Sequence, residues 1–131
     1  MNKILYKEGK IAIYKSAEKG FCVLAGKNLK KGELITTCPV SLMIPGDILK
    51  TSLLDVYPMA WSKKNDCIAF GTINLLNHAK ITNTTLKRDK KHNLIMAYAK
   101  TDVKKGEELT ISYACKLWFT PVEDKLIVKI P

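Results

Sequence analysis

A chain of 131 residues and 14.7 kDa has room for one domain around one modest core. Its apolar fraction of 47% against 26% charged is ordinary for a water-soluble domain, and no apolar run approaches the roughly 20 residues of a membrane span. Twenty-two Lys and Arg against twelve Asp and Glu give a net charge of +10, a surplus that suits acidic partners such as nucleic acid or nucleoprotein. A lysine-biased composition spread over surface turns accounts for the same charge equally well. The first eight residues hold too short an apolar core for a secretory signal, which predicts an intracellular, soluble protein. Cys22, Cys38, Cys67 and Cys115 contain no close pair, so they read as four separate small apolar fillers rather than a zinc site or disulfides.

In chain order, short alternating segments dominate and no long helical period is present. Ile11-Ala12-Ile13-Tyr14 predicts a strand, Ser16-Ala17-Glu18-Lys19-Gly20 a turn, and Phe21-Cys22-Val23-Leu24-Ala25 a second strand. An internal echo follows, in which residues 25–36 (AGKNLKKGELIT) recur as residues 99–110 (AKTDVKKGEELT). Each copy sets Lys-Lys-Gly-Glu between apolar strands, where glycine can supply the positive φ of a tight turn. Two such corners predict a small, folded-over β architecture rather than a flat sheet. Residues 47–54 form the one helix the pattern supports, stopped by Tyr57-Pro58. Residues 83–86 and 93–99 predict a hairpin, and the basic cluster 87–92 between them reads as its tip rather than as a dedicated binding patch. Residues 126–130 are expected to form a last strand or to pack across the site.

Two stretches carry polar groups where chemistry can sit. One is Ile68-Ala69-Phe70-Gly71-Thr72-Ile73-Asn74-Leu75-Leu76-Asn77-His78-Ala79-Lys80-Ile81-Thr82-Asn83, apolar on its left and ending in Asn-His. Buried polar groups there need partners, although a core segment followed by an Asn-rich turn would satisfy the pattern too. The other is Gly106-Glu107-Glu108-Leu109-Thr110-Ile111-Ser112-Tyr113. Together they resemble the paired signature motifs of the SET domain, the protein-lysine methyltransferase module, in a compact form like its viral and bacterial members. The resemblance runs from about Ile11 to Trp118 and makes residues 1–131 a single SET-like domain.

That resemblance implies a mainly β, β-clip-like fold of short strands around a threaded (pseudoknot) C-terminal segment, with one or two short helices. It implies transfer of a methyl group from S-adenosylmethionine to a lysine amine of a protein substrate, with histones among the candidates. Cofactor contacts fall on Lys19, Gly20, Phe21, Asn77, His78 and Trp118. Tyr113 is the expected catalytic tyrosine, and Tyr57 a second catalytic candidate as a wall of the lysine channel. Trp61 suits core packing, and Trp118 fits either the adenine or a structural role.

The sequence also departs from the family pattern. Cys22 replaces a glycine, which should narrow the allowed φ and add bulk near the cofactor. Met59 departs from the Tyr-x-aromatic-x-Trp segment of compact relatives. Ala79 and Thr82 replace a serine and a proline, Ser112 stands where many relatives carry aspartate, and Leu117 stands at a position where some carry a channel tyrosine. The zinc-binding cysteine cluster that follows the domain in many nuclear relatives is missing, and no metal is expected. These departures motivate a second reading, a catalytically weak SET-like basic module that binds nucleic acid or chromatin. A homodimer is expected by analogy with compact viral relatives, in bacterial cytoplasm or in a host nucleus. An acidic channel mouth for a basic substrate would draw on Glu107, Glu108, Glu123 and Asp124.

Overall fold

The computed structural model describes residues 2–44, 57–112 and 126–130. Strands β1 (Lys3–Glu8), β2 (Ile11–Ser16) and β3 (Gly20–Ala25) form an antiparallel three-stranded sheet with β2 in the centre. β3 is buried on both faces from Cys22 onwards. Val23 and Ala25 enter the main core, while Cys22 and Leu24 enter a smaller cluster with Ala12 and Ile130. Double-sided burial is why this strand reads as a continuous apolar run instead of an alternation. β1 was not foreseen in the sequence, because its Lys-Ile-Leu-Tyr-Lys-Glu is mostly exposed and carries no apolar signal of burial.

A second sheet has the order β5-β6-β4-β9-β8, built from β4 (Leu34–Met43), β5 (Met59–Ala60), β6 (Asp66–Ala69), β8 (Thr84–Asp89) and β9 (Leu94–Ala99). In β9 every second residue (Ile95, Ala97, Ala99) is buried, the period of a strand with one face on the core. In β4 the buried positions are Ile35, Cys38 and Val40, and the register shift between Leu34 and Thr36 accounts for the odd first interval. β8 and β9 make the expected hairpin, but β8 runs on through Lys87, Arg88 and Asp89, expected in its tip, because they pair with Met96, Ile95 and Leu94. The turn is residues 90–93 and includes Asn93, expected in the strand, with φ 54. Trp61 is buried in the main core, as its packing role requires.

The echo becomes a pair of corners that hold each other. Leu29 N–H donates to the Val103 carbonyl at 2.8 Å, and Val103 N–H returns the bond to Leu29 at 2.9 Å. Lys31 N–H donates to Asp102 Oδ1, and Lys105 N–H to Asn28 Oδ1, both at 2.8 Å. Within the corners, Lys30 N–H meets Glu33 Oε1 at 3.1 Å and Lys104 N–H meets Glu107 Oε1 at 3.2 Å. Gly32 and Gly106 donate to the carbonyls of Ala99 and Ala25, respectively, with φ of 87 and 93. Matching positions thus make matching bonds, a local pseudo-two-fold.

The symmetry ends at the outer edge of the second corner. There Glu108 N–H donates to the Leu126 carbonyl and Val128 N–H to Gly106, each at 2.9 Å, and Ile127 bridges Glu107. The expected last strand is therefore a short pairing of residues 126–128 along the Gly-Glu-Glu segment. The two motifs meet through the parallel pair β7 (Asn77–His78) and β10 (Thr110–Ile111), with Asn77 opposite Thr110 and His78 opposite Ile111. Ahead of β7, Thr72–Leu75 forms one 3-10 turn that buries Ile73. The expected helix at 47–54 lies outside the described residues. No described helix is long and apolar enough to cross a membrane.

The two corner glycines provide an internal comparison. A Cβ on Gly106 would lie 2.0 Å from the Val128 carbonyl oxygen, whereas one on Gly32 meets nothing within 4 Å. Gly32→Ala should cost only the left-handed backbone penalty, about 1–2 kcal/mol. Gly106→Ala should cost about 3 kcal/mol or more, because residues 126–128 must also move. Urea denaturation of the two variants checks the difference, and equal losses would show that the C-terminal pairing contributes nothing.

Candidate active site

The site begins with the turn between β2 and β3. Ser16 Oγ accepts the N–H groups of Glu18 and Lys19, both at 3.1 Å, and Gly20 closes the turn with φ 75. This conformation sends Lys19 inward, where its Nζ lies 2.7 Å from Glu108 Oε1. Only 3% of the Glu108 side chain and 12% of the Lys19 side chain are exposed. The second carboxylate oxygen, Oε2, accepts from Asn77 Nδ2 at 2.8 Å. The same amide nitrogen lies 3.1 Å from the Phe21 carbonyl and 3.4 Å from Cys22 Sγ. One carboxylate thus joins the β2–β3 turn to the end of the Asn-His motif.

Asn83 acts on the main chain of the same segment. Its Nδ2 donates to the Glu108 carbonyl at 2.8 Å, and its Oδ1 accepts from Thr110 N–H and Thr84 Oγ1, both at 3.0 Å. A side-chain amide thereby pairs with residues 108–110 as a neighbouring strand would. Ala79 N–H extends the parallel pairing by donating to the Ile111 carbonyl at 3.1 Å.

Lys19, Gly20, Phe21, Asn77 and His78 are therefore brought to one place from two distant parts of the chain. The Phe21 ring is 42% exposed, with Lys15 Nζ 4.4 Å from its centroid, so its carbonyl is the part that reaches Asn77. Cys22, which replaces a glycine of the family pattern, takes ordinary strand geometry in β3 with no positive φ, and its buried thiol reaches Asn77. Burial first, then the Glu108 carboxylate, pushes the thiol up to about 12 from an ordinary 9.0.

Glu108 also corrects an expectation. It is no part of an acidic mouth open to a basic substrate, because it is buried and neutralised by Lys19. Glu107 spends one carboxylate oxygen on the Lys104 N–H. The sequence did not single out Glu108 or Asn83 as organisers of the site. No local signal marked Glu108, because strand parity puts it on the face opposite Leu109 and residues 108–111 are all buried.

Tyr57 is placed elsewhere, half-buried in the wall of a pocket of ≈ 540 Å³ with Ser41, Met43, Ile68, Phe70, Asn74 and Leu75. Asn74 Nδ2 donates to the Ala69 carbonyl, and its buried Oδ1 has no hydrogen-bond partner among the described residues. Residues 71–78 connect this pocket to the Asn77 cluster. Tyr113, Trp118 and Leu117 lie outside the described residues, as do Glu123 and Asp124. Among the described residues, no group of three or more His, Cys, Asp or Glu could hold a metal ion.

Comparison with known proteins supports the architecture. The SET domain profile matches residues 20–114, most of the chain. A Schizosaccharomyces pombe histone-lysine N-methyltransferase, H3 lysine-37 specific, is 35% identical over 68 residues, covering 52% of this chain and 46% of that protein. The aligned part is thus about half of each. A candidate histone methyltransferase of Plasmodium falciparum superposes with a TM-score of 0.67 at 27% identity, over 86% of this chain and all of the other. A chain of ctPRC2, solved in complex with H3K27me3 and H3K27M, superposes at 0.66 over 83% of this chain and 15% of its own length. At 19% identity, that last likeness shows the fold alone. A mainly β chain that joins an Asn-His segment to a Gly-Glu-Glu-Leu strand is a SET domain, and the chain belongs to that family.

Two measurements probe the cluster. Removing one partner of a buried ion pair leaves the other uncompensated, so Glu108→Gln and Lys19→Met should each destabilise by about 2–4 kcal/mol. The double variant should lose clearly less than the sum; strict additivity would mean that the two groups do not interact. For Cys22, the sign follows from a folded-state value above the unfolded one. Its contribution is complete below pH 9.0 and is lost as pH climbs towards about 12. Wild type should therefore lose stability across that window relative to Cys22→Ala, as read by unfolding midpoints at stepped pH.

Proposed function

We propose that the protein transfers a methyl group from S-adenosylmethionine to a lysine side-chain amine of a protein substrate, with histones the leading class. The observation that carries this reading is the convergence of Lys19 and Asn77 on Glu108, with the Phe21 carbonyl held by the same Asn77 amide. Convergence of these residues is what a site assembled from the two motifs requires. Histones enter because the S. pombe relative acts on histone H3 and the P. falciparum one is a candidate of the same activity.

The residues fit such a cofactor. Lys19 and Asn77 are fixed by Glu108, and the Asn77 amide also holds the Phe21 carbonyl and the Cys22 thiol, so the two motif segments that would flank the cofactor are locked in place. A Cβ at Gly20 would meet no atom within 4 Å, so the turn leaves open space beside them. The cofactor supplies an electrophilic methyl group on a positively charged sulfur. The protein's own task is alignment, because in-line displacement depends on geometry more than on acid–base power.

The acceptor amine must first lose its proton, since free lysine has a pKa of about 10.4. A dry, aromatic-lined channel next to a positive sulfur lowers that value through desolvation and charge repulsion. We assign the acceptor side to the Tyr57 pocket, whose walls include Phe70 and Leu75. By family resemblance, the Tyr113 hydroxyl orients the amine and Trp118 covers the adenine. Saturable uptake of labelled cofactor distinguishes this reading from a basic module that only binds nucleic acid or chromatin.

Tyr113→Phe keeps the ring and removes one polar contact. It should slow single-turnover methyl transfer at saturating cofactor by about 30- to 1,000-fold, the equivalent of roughly 2–4 kcal/mol. Cofactor affinity measured by calorimetry should change far less. Asn77→Ala should show the reverse emphasis, with binding weakened first. A fully active Tyr113→Phe protein would remove the tyrosine from the mechanism.

A further inference from the structure

We infer that the paired corners form a lysine platform that binds the phosphodiester backbone of nucleic acid. The inference does not depend on methyl transfer. Residues 26–33 and 100–107 carry Lys27, Lys30, Lys31, Lys100, Lys104 and Lys105, all exposed, against Glu33, Asp102 and Glu107. The three carboxylates are already engaged. Glu33 pairs with Lys10 at 3.0 Å and accepts from Lys30 N–H, while Asp102 and Glu107 accept from the N–H groups of Lys31 and Lys104. These bonds fix the turns and leave the carboxylates charged, so the corners carry six lysines against three acids, with Lys27 3.8 Å from Glu33 and Lys100 3.4 Å from Thr82 Oγ1.

The fold also places both Lys-Lys pairs together. Leu29 and Val103 exchange two main-chain bonds, and the antiparallel register counted outward from them sets Lys27 across from Lys105. Lys31 and Lys105 are each anchored through their own N–H to the opposite corner. Lys27 and Lys105, distant in sequence, are thereby neighbours across the pairing, and Lys30-Lys31 and Lys104-Lys105 flank it on either side.

The chemistry of the patch selects the partner. Leu29 and Val103 are buried, and no exposed large apolar side chain lies within residues 26–33 or 100–107. Protein interfaces draw on an apolar centre with a polar rim, whereas here the exposed apolar side chains, Leu34 after Glu33 and Ile127 paired with Glu107, stand at the ends of the corners and the lysines between them. A surface of rigidly based point cations instead suits a polyanion of closely spaced phosphates, bound without regard to sequence and with strong salt dependence. The end of the hairpin is organised differently, with Arg88 Nε committed to the Ala60 carbonyl at 2.9 Å and Asp89 paired with His92 at 2.8 Å.

The test is fluorescence anisotropy of a labelled duplex of about 20 base pairs with the full chain, across roughly 50–200 mM salt. Replacing Lys30, Lys31, Lys104 and Lys105 together by Gln should weaken binding about tenfold or more at the lower salt. The slope of log affinity against log salt should become shallower by roughly 2–4. Replacing exposed Lys63, Lys64, Lys90 and Lys91 by Gln removes the same charge elsewhere and should cost less than about threefold. Urea midpoints establish that both variants fold; if the platform variant does not, the two corners are substituted separately and each should give part of the loss. Equal losses in the platform and control variants would overturn the proposal, as would no binding of duplex by wild type. Tighter binding of labelled polyglutamate than of duplex would make the partner an acidic polypeptide and overturn it as well.

Discussion

The structure depends on one buried carboxylate. Glu108 is held on one side by Lys19 and on the other by Asn77, while Asn83 and Leu126 bond its main chain. A charge taken out of water is costly unless it is paired and hydrogen-bonded, so this carboxylate tolerates few arrangements of its neighbours. That intolerance fixes the relative positions of the β2–β3 turn, the end of the Asn-His motif and the Gly-Glu-Glu strand. A hydrophobic residue in the same place would pack with less demand on direction. The ion pair adds specification of geometry, which is what a site built for alignment requires.

Around that point the chain is arranged so that the site is formed by strand ends and by segments of only two paired residues. Long strands carry the core, with β4 and β9 as the centre of the larger sheet, and the short parallel pair of β7 with β10 sits where the chemistry is placed. Asn83 substitutes for a strand edge that the fold does not provide. Such a design leaves main-chain groups near the site available to a ligand, while the surrounding sheets supply rigidity.

Much of this was legible in the sequence because it was written in local patterns. The β2–β3 turn, the hairpin about Asn93 and the positive φ of both corner glycines followed from residue type and spacing. The echo announced two similar corners, yet only the structure showed that they bond to each other, since pairing partners are not encoded by a repeat alone. β1 escaped notice because an exposed edge strand has no apolar face to mark it. The 3-10 turn at Thr72–Leu75 was hidden inside a run that looked uniformly buried. Glu108 was misjudged as a surface acid because burial of a charge is decided by a partner far away in the chain, here Lys19. Cys22 fits where the family pattern has glycine because the strand at that point is regular and needs no positive φ.

The pairing of residues 126–128 along the Gly-Glu-Glu segment has a consequence for the order of folding. A chain emerging from the ribosome presents β1 to β3 first, and its corners can dock once the second copy of the echo is out. Yet the Glu108 N–H finds its acceptor on Leu126, and Ile130 closes the small cluster around Cys22 and Leu24. Until those residues are free of the exit tunnel, the strand that carries the buried carboxylate has one bare edge. Assembly of the site thus waits on residue 126 and its neighbours, and a nascent chain stalled short of them would display an unpaired β edge to its surroundings.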